Sequence, residues 1–407
     1  MTFSEIVELR GHIIDSYALP RIMDEVMDRG GEFVIQAIQV GRRKNEPSYA
    51  RIQISAPNQE LLDLLLDRAQ RIGALPEEIE QVRLEPAPSD GVFPEGFYST
   101  TNLETAVRLG GQWVLVDWPE MDCAIAVDPV AKRAWTIALS DVKHGEQLVV
   151  GHEGVRVTPL ERPRTQPQVF AFMGSNVSSE KPKALLIHEI AQRLRDIRAR
   201  NGRVILVGGP VLVHTGTRDH VARLIREGYV NVLFGGNGLA THDIEMAMFG
   251  TSLGVSLSEG IPQEGGHEHH LRAINRVRRA GSIRAAVENG ELTTGIMHAC
   301  VQADATYVLA GSIRDDGPLP DVVTDTLEAQ RLMRAEVRKG VDLVLVLSSM
   351  LHGIATGNLL SAAVTTVCVD INPAVVTKLA DRGSFQAIGL VMDVEGFLRE
   401  LCAELEL

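Results

Sequence analysis

Six strongly apolar runs in the second half of the chain place the tightest limits on its fold. In chain order they are RVILVGG, VNVLFGG, ATYVLAGS, DLVLVLSS, VTTVCVDINP and QAIGLVMD. Most of the segments between them have the apolar spacing of helices. Near-continuous apolar strands that alternate with helices are typical of a parallel sheet with both faces covered. The pattern therefore predicts a parallel-sheet α/β domain, which we expect over residues 166–407.

Each of these runs ends in small or polar residues. In an open parallel sheet, ligands bind outside the carboxyl ends of the strands, so we expect these tails to share one cleft. The tails are Gly208–Gly209, Gly235–Gly238, Gly311–Asp316, Ser348–His352, Asp370–Asn372 and Asp393.

The first half of the chain has a different pattern. Up to a proline-rich connector, strand and helix signals follow the order β-α-β-β-α-β, with Asn58 capping the second helix and the last strand at Val82–Leu84. This order predicts a ferredoxin-like α+β domain over residues 1–95. Short strands with little helix then run from Tyr98 to Thr158 and predict a small β-rich domain over residues 96–165.

Composition and charge favour small-molecule chemistry. The 407-residue chain has a net charge of -13, which argues against a nucleic-acid partner. The longest stretch without charged residues, Leu343–Val369, is long enough to span a bilayer, but Ser348, His352 and other polar residues interrupt it, so we expect no membrane segment. Four scattered cysteines without a C-x-x-C pair, and no signal-peptide pattern, indicate a cytoplasmic protein.

The stretch Gly235-Gly236-Asn237-Gly238 separates an apolar run from a helical pattern. A glycine-rich turn at such a place lets backbone N–H groups approach an anion, and the helix N-terminus adds partial positive charge. The stretch therefore suits a pyrophosphate, although tight turns alone also use glycine.

Asp370 ends the run TTVCVD and precedes Asn372 and Pro373, which are suited to cap and open a helix. A carboxylate at a strand tip binds ribose hydroxyls in dinucleotide sites, and its charge disfavours a ribose phosphate. The position indicates NAD rather than NADP; the alternative is that Asp370 only caps a turn. Because G-x-G-x-x-G is absent from LVGGPVLVHTG, we expect a version of the fold that differs from ordinary dehydrogenases.

Two polar clusters could move protons. Asp315 and Asp316 are adjacent, and paired carboxylates in a cleft can raise one pKa and create a proton shuttle, although they also suit an ordered surface loop. His267, His269 and His270 lack the helical zinc spacing of two histidines four residues apart with a glutamate beside the first. We therefore expect no metal there, and a histidine that faces the substrate or stabilises the structure.

Several long peptides carry a resemblance that spans Phe3 to Leu398. They include FSEIVELRGHIIDSYALPRIMD, GRRKNEPSYARIQI, EMDCAIAVDP, GIMHACV, LAGSIRDDGPLPDV, MLHGIATGNLL and CVDINPAVVTKLADRGS. These peptides closely resemble the archaeal-type ornithine cyclodeaminases. The same unit forms the C-terminal half of cyanobacterial bifunctional arginine-degrading enzymes, and it also carries the label LOR/SDH conserved region.

The resemblance implies an NAD-dependent lyase that converts L-ornithine to L-proline and ammonia and recycles NAD in each turnover. It also implies that the last domain resembles the NAD-binding fold of deoxyhypusine synthase. At two positions, Gly238 and Thr241, this chain departs from the alanine and valine expected of the family. By peptide match, the expected NAD contacts are Asn237, Gly238, Asp315, Ser348, Ser349, Met350, Leu351, Asp370, Asp393 and Val394.

Such a reaction needs a proton carrier and a cation or backbone donors for the substrate carboxylate. We assign proton transfer to Asp315 or Asp316, with His267 as helper. For the carboxylate, the candidates are Arg43 and Lys44, which equally suit a solvated hairpin tip.

Two other functions are consistent with the same sequence. One is an amino-acid dehydrogenase of the saccharopine type that releases NADH, and the other is a non-catalytic amino-acid or nucleotide sensor. We expect the chain to form homo-oligomers.

Overall fold

The computed structural model describes residues 2–14, 16–43, 46–76, 80–158, 183–252, 255–256, 268–315, 317–380 and 387–407. The chain divides into two compact units, each described by itself. The first comprises Met1–Gly174 and Asn358–Ala363, and the second comprises Ser175–Gly357 and Val364–Leu407. None of the helices in the described ranges is long and apolar enough to cross a membrane.

The first unit begins with a four-stranded sheet and two helices. The elements are β1 (Phe3–Gly11), α1 (Ala18–Asp28), β2 (Glu32–Gln39), β3 (Ser48–Ala56), α2 (Gln59–Arg71) and β4 (Leu75–Pro76), and the sheet order is β2-β3-β1-β4. Along β3, buried and partly exposed residues alternate without a break, so one face of the sheet packs on the helices. As predicted, the side chain of Asn58 caps α2 by accepting a hydrogen bond from Leu61 N at 2.8 Å.

The sequence-based assignment of the last strand of this sheet is wrong. The predicted strand at Val82–Leu84 corresponds to β5 (Arg83–Pro86), which pairs with a strand of the next sheet, whereas β4 pairs with β1. β4 has only two residues and one of them is a proline, so no alternating pattern marks it. The element order β-α-β-β-α-β is therefore present, but its last strand is β4 and not the predicted strand at Val82–Leu84.

The second sheet of this unit has seven strands. After β5 come β6 (Glu104–Leu109), β7 (Gln112–Asp117), β8 (Ala124–Asp128), β9 (Arg133–Ile137), a 3-10 helix (Leu139–Asp141), β10 (Gln147–Val150) and β11 (Val155–Thr158). Their order is β11-β6-β7-β9-β8-β10-β5, and all neighbours are antiparallel except β7 and β9. From α2, Gln70 Nε2 donates hydrogen bonds to the carbonyls of His152 and Val155, which ties the helix to this sheet.

The second unit alternates strands with helices. Its elements are α3 (Lys183–Ala199), β12 (Val204–Gly208), α4 (Val211–His214), α5 (Arg218–Arg226), β13 (Val232–Gly236), α6 (Asn237–Phe249), β14 (Thr251–Ser252), β15 (Val255–Ser256), α7 (His269–Ala280), α8 (Ile283–Glu288), α9 (Ile296–Gln302), β16 (Thr306–Ala310), β17 (Val322–Val323), α10 (Thr326–Arg338), β18 (Leu343–Leu347), α11 (Met350–Leu359), β19 (Thr365–Asp370), α12 (Pro373–Ala380), β20 (Ala387–Val391) and α13 (Val394–Glu404).

The strand order places a topological switch point at the centre of this unit. The sheet runs β17-β16-β13-β12-β18-β19-β20, and every described pair is parallel. After β12, the strands β13, β16 and β17 are added in turn on one side of it. The chain then returns to the other side of β12, where β18, β19 and β20 follow in order. All six predicted runs are strands of this sheet, and the central strands β12 and β18 are buried along their whole length. The predicted parallel α/β architecture is confirmed.

Candidate functional site

The tails of β12 and β18 meet at the switch point. Gly209 N donates a hydrogen bond to Leu347 O at 3.2 Å, and a Cβ atom at Gly209 would collide with the carbonyl oxygen of Ser348. Ser348 itself adopts a left-handed φ of 48°, which is uncommon for a residue with a side chain. Such conformations concentrate at functional sites, where the surrounding structure holds them in place.

Asn237 and Asp315 connect the tails of β13 and β16. Asn237 Nδ2 donates to Asp315 Oδ1 at 3.0 Å, and Ser312 N donates to Asp315 Oδ2 at 2.8 Å. The carbonyl oxygen of the Asn237 side chain accepts bonds from Thr241 Oγ1 at 3.1 Å and Leu319 N at 3.1 Å. Both side chains are thus fixed by hydrogen bonds, and the Asp315 carboxylate remains partly accessible.

The glycine-rich stretch is not a separate turn. β13 continues through Gly236, and α6 begins directly at Asn237; Gly236 has φ -118° and ψ 174°, which any residue can adopt. Its hydrogen side chain instead leaves room, because a Cβ at Gly236 would lie 3.2 Å from Cε1 of His352. At Gly238 a Cβ would lie 3.3 Å from Cγ of Pro210. The absence of a side chain at Gly236 and Gly238 therefore leaves room for the side chains of His352 and Pro210 at the end of β13.

Asp370 and Asp393 follow the neighbouring strands β19 and β20. Met392 N donates to the carbonyl oxygen of Asp370 at 3.2 Å, which links the two tails. The carboxylate of Asp370 accepts a bond from Asn372 N at 2.8 Å, and that of Asp393 caps α13 by accepting from Gly396 N at 3.3 Å. Val394, the first residue of α13, is buried.

Large apolar side chains are exposed directly after several strands of the parallel sheet. Ile313 is fully exposed (107%), Leu351 is 77% exposed and Ile371 is 74% exposed, and Met350 is also exposed. Exposed apolar groups of this size beside convergent polar groups are typical of ligand-binding clefts. The edge at which the strands of the parallel sheet end, together with the residues that directly follow them, is here called the carboxyl edge. It offers exposed apolar surface together with amide and carboxylate groups that are held by hydrogen bonds.

Three of the predicted site residues lie outside the described residues: Asp316, His267 and Lys44. Arg43 lies in the first unit, in the turn between β2 and β3. Its side chain is 82% exposed, and Nε lies 3.8 Å from Glu46 Oε1. This environment matches the solvated hairpin tip that we considered, and the role of Arg43 in substrate binding stays a prediction.

Histidines that follow β12 and β13 form a second polar cluster. Buried Glu245 accepts from Thr251 Oγ1 at 3.0 Å and lies 2.9 Å from Nδ1 of His242, while Nδ1 of His269 lies 2.8 Å from Thr251 Oγ1. The rings of His214 and His242 have centroids 4.9 Å apart. Within the described part of the chain, no group of three or more His, Cys, Asp or Glu residues could hold a metal ion. The described bonds tie α6 to β14 and α7.

Two residues of the carboxyl edge were not among the predicted site residues. His352 extends from α11 to the end of β13, and the hydroxyl of Thr241 helps to fix Asn237. The tail Ser348–His352 was recognised in the sequence, and Thr241 was noted as a departure from the family pattern. Their partners depend on the strand order and the helix orientation, which the sequence pattern does not contain.

A doubly wound parallel sheet with polar tails at its switch point defines a Rossmann-type α/β fold. The comparisons agree: a family model described as "Arginine dihydrolase ArgZ-like, C-terminal, Rossmann fold" matches residues 188–401. Two further models match the preceding chain, "ArgZ-like, C-terminal, first region" over residues 104–187 and "LOR/SDH bifunctional enzyme conserved region" over residues 4–103.

Known proteins match along nearly the whole chain. "Ornithine cyclodeaminase" of Methanopyrus kandleri is 54% identical over 402 residues, which cover 99% of this chain and 97% of that protein. The apo crystal structure of the cyanobacterial arginine dihydrolase ArgZ matches with a TM-score of 0.86 and 38% identity, and covers all of this chain and 58% of its own. A ternary complex of AgrE with ornithine and NAD+ has a TM-score of 0.54 and 43% identity, with 58% of that chain covered. The chain belongs to the ArgZ-like ornithine cyclodeaminase family.

Proposed function

We propose that this protein is an NAD-dependent ornithine cyclodeaminase, which converts L-ornithine to L-proline and ammonia and regenerates NAD in each turnover. The observation that carries the proposal is the 54% identity with an ornithine cyclodeaminase over 99% of the chain. Further support comes from AgrE, a relative whose complex contains ornithine and NAD+. The geometry of the carboxyl edge agrees with this function.

The residues of this edge suit NAD. Asp370, at the tip of β19, offers a carboxylate for ribose hydroxyls, and the N-terminus of α6, which begins directly after β13, offers backbone N–H groups for phosphate groups. The apolar side chains of Leu351 and Ile371 offer surface for flat rings. We assign NAD contacts to the residues given by the family resemblance: Asn237, Gly238, Asp315, Ser348, Ser349, Met350, Leu351, Asp370, Asp393 and Val394.

Bound NAD would accept a hydride from the α-carbon of ornithine and return it to the cyclic imine. The protein must hold the substrate and move protons. The carboxylate of Asp315, held by Asn237 and Ser312, is an acceptor for an ammonium group of the substrate. Its role in proton transfer, with Asp316 and His267, remains part of the proposal, as does the binding of the substrate carboxylate by Arg43 or Lys44.

The finer description of the fold is also proposed. The order β2-β3-β1-β4 supports a ferredoxin-like first domain, and the absence of G-x-G-x-x-G after β12 supports a likeness to deoxyhypusine synthase. The sequence predicts the domains 1–95, 96–165 and 166–407; we propose these three domains with the first boundary at the end of β4, after Pro76, because β5 belongs to the second sheet.

We further propose a cytoplasmic homo-oligomer. All four cysteines are buried and none of them forms a disulfide bond, and burial raises the pKa of the Cys368 thiol to about 12 and that of the Cys402 thiol to about 11. Thiols with such pKa values are almost entirely protonated and unreactive at neutral pH, as suits small buried side chains in a reducing compartment.

The proposed function is tested by stoichiometry. The purified protein is incubated with L-ornithine and less than one equivalent of NAD, and proline, ammonia and NADH are followed together. We expect equal amounts of proline and ammonia, in excess of the NAD supplied, without accumulation of NADH. Absence of both products would contradict the proposal.

A second candidate is a dehydrogenase that releases NADH after the first hydride transfer. It is favoured by the match of residues 4–103 to the LOR/SDH conserved region and by 29% identity over 71 residues with a plant "Alpha-aminoadipic semialdehyde synthase". The same experiment separates the two functions, since a dehydrogenase would accumulate one NADH for each product molecule.

A further inference from the structure

His352 occupies an unusual place on the carboxyl edge. It is the third residue of α11, which follows β18, yet Cε1 of its ring lies 3.2 Å from the position of a Cβ added to Gly236 at the end of β13. In the sheet, β12 lies between β18 and β13. Between the end of β18 and the ring of His352, the start of α11 and this side chain together therefore cross the end of β12, over about 10 Å at ordinary strand spacing.

The local structure makes room for this crossing. At the end of β12, Gly209 has no side chain that could obstruct the approach of β18, and Gly236 has none at the far end. The main chain at His352 is fixed, because its carbonyl oxygen accepts a hydrogen bond from Thr356 Oγ1 at 2.8 Å. The ring is consequently held over the central strands, on the edge where Asn237 and Asp315 also lie.

Among the described residues, the ring nitrogens of His352 have no hydrogen-bond partner. Four other histidines of this unit have a partner: His188 with Glu404, His214 with Ser252, His242 with Glu245 and His269 with Thr251. The buried Nδ1 atoms of His220 and His298 also have none within the described part of the chain, but neither residue follows a strand of the sheet as closely as His352 does. An unpartnered imidazole that is largely shielded from bulk water, at the edge where ligands bind, is available to a bound molecule.

The environment of the ring keeps it neutral. Burial lowers the pKa of His352 below its ordinary value, and the N-terminus of α11 adds a partial positive charge that also disfavours the imidazolium form. Besides His352, the nearest neighbour of a Cβ at Gly236 is the carbonyl oxygen of Ala310 at 3.4 Å, and no charged side chain in the described residues contributes to the pKa of His352. At neutral pH the ring can accept a proton.

We propose that His352 is the catalytic residue that takes the proton from the α-ammonium group of the substrate and later returns it. This inference rests on the proposed cyclodeaminase function. Loss of the proton to the imidazole frees the nitrogen lone pair, which forms the C=N bond as the hydride leaves the α-carbon. The δ-ammonium loses a proton to solvent, its amine adds to that carbon, and the new ring nitrogen loses a second proton to solvent. The imidazolium then returns its proton to the α-nitrogen, the bond from the α-carbon to that nitrogen breaks with its electrons leaving on ammonia, and the lone pair of the ring nitrogen forms the C=N bond of the cyclic imine.

The first test replaces the ring. His352→Gln is expected to lower kcat about 10²- to 10⁴-fold, the usual contribution of a general base, while the KM for ornithine and the calorimetric Kd for NAD change about twofold or less. His298→Gln is the matched control: burial also lowers the pKa of His298, which lies on α9. This control should retain the wild-type kcat.

The second test moves the ring without removing it. Gly236→Ala is compatible with the backbone but places a methyl group against His352. It should lower kcat about 10-fold or more, since small displacements of a catalytic group are costly. Gly357→Ala, on the same helix as His352, places its Cβ 3.3 Å from a side-chain atom of Leu379 and should leave kcat unchanged.

Proton NMR gives a readout that is independent of turnover. Histidine labelled at Cε1 gives one resonance for each of the 12 histidines, and the resonance missing from His352→Gln identifies the ring. It should titrate below about 6.5, and kcat/KM should rise with pH through that same value, since only the neutral ring accepts a proton.

Each outcome bears on one proposal. If the wild type forms proline and ammonia and His352→Gln keeps more than half of its kcat, His352 is not the proton acceptor. Equal loss in kcat and in NAD affinity would also overturn the inference, since it would indicate a role in cofactor binding. If the wild type forms neither product, the cyclodeaminase function itself fails, and this role of His352 fails with it.

Discussion

The protein contains two seven-stranded sheets that differ in strand direction. In the first unit, the strands of the sheet β11-β6-β7-β9-β8-β10-β5 are antiparallel to their neighbours except for one pair, whereas in the seven-stranded sheet of the second unit every described pair is parallel. Antiparallel strands end at alternate edges of a sheet, so the residues that follow them are divided between two edges. Parallel strands end at one edge, and their tails meet there.

This difference explains where the polar side chains converge. Along β8 of the antiparallel sheet, Ala124 and Ala126 belong to one apolar cluster and Ile125 and Val127 to another, so both faces of the strand are buried in apolar contacts. The parallel sheet has equally apolar strands, but it gathers Asn237, Asp315 and Asp370 at its carboxyl edge. Equal strand numbers thus lead to a packed scaffold in one unit and to a candidate site in the other.

The largest expected effect tests the scaffold role of the antiparallel sheet. Ile125 is fully buried, and Ile125→Ala should lower the free energy of unfolding of the first unit by about 2 to 5 kcal/mol through lost burial and the cavity left behind. Under conditions in which the variant remains folded, its calorimetric Kd for NAD should equal that of the wild type.

Leu206→Ala, in the buried centre of β12, is the matched change in the parallel sheet. It should destabilise the second unit by a similar amount, and NAD should raise its midpoint of urea unfolding because the ligand binds the folded unit. If NAD protects the Ile125→Ala transition to the same degree, the division of roles between the two sheets is wrong.

A smaller effect is expected at the carboxyl edge. Asp370→Ala should raise the Kd for NAD about 10- to 100-fold, the equivalent of losing hydrogen bonds to a charged group, and should change the KM for ornithine much less. Binding calorimetry and initial rates measure the two quantities separately.

The control separates ribose binding from turn capping. Asp370 accepts a hydrogen bond from Asn372 N at 2.8 Å, and Asp325 accepts one from Leu327 N at 2.9 Å as the cap of α10. Asp325→Ala should cost stability, about 1 kcal/mol, without altering NAD affinity. If Asp370→Ala behaves in the same way, Asp370 is only a capping residue.

The sequence predicts the parallel sheet because each of its long strands has a continuous apolar run. The same logic fails for β4 and β17, since two-residue strands have no periodicity and are defined only by their partners. It also misplaces β5, whose alternation marks a strand but does not indicate whether β1 or β10 is its neighbour. Strand existence is a local property, whereas strand pairing depends on the whole unit.

The candidate site shows the same limit. That Asp315 and Asp370 follow strands is readable from the sequence, and the parallel arrangement then puts them on one edge. The position of His352 at the end of β13 requires the order β13-β12-β18, which the chain order does not give. The glycines at 235 and 236 were expected to form a turn, but they extend β13 and serve to leave space.

The smallest expected effect concerns Thr241, where the family resemblance leads us to expect valine. Its hydroxyl donates to Asn237 Oδ1 at 3.1 Å, and that oxygen also accepts from Leu319 N at 3.1 Å. Thr241→Val removes one hydrogen bond without leaving the oxygen of Asn237 unpaired, so the loss of binding and activation free energy should be about 0.5 kcal/mol, or roughly twofold in the Kd for NAD and in kcat.

Thr377→Val, which removes an exposed hydroxyl bonded to Pro373 O on α12, is the control. A loss above about tenfold at Thr241 alone would mean that its hydroxyl contacts a ligand directly, and the carboxyl edge would then extend along α6 beyond the tails of the strands.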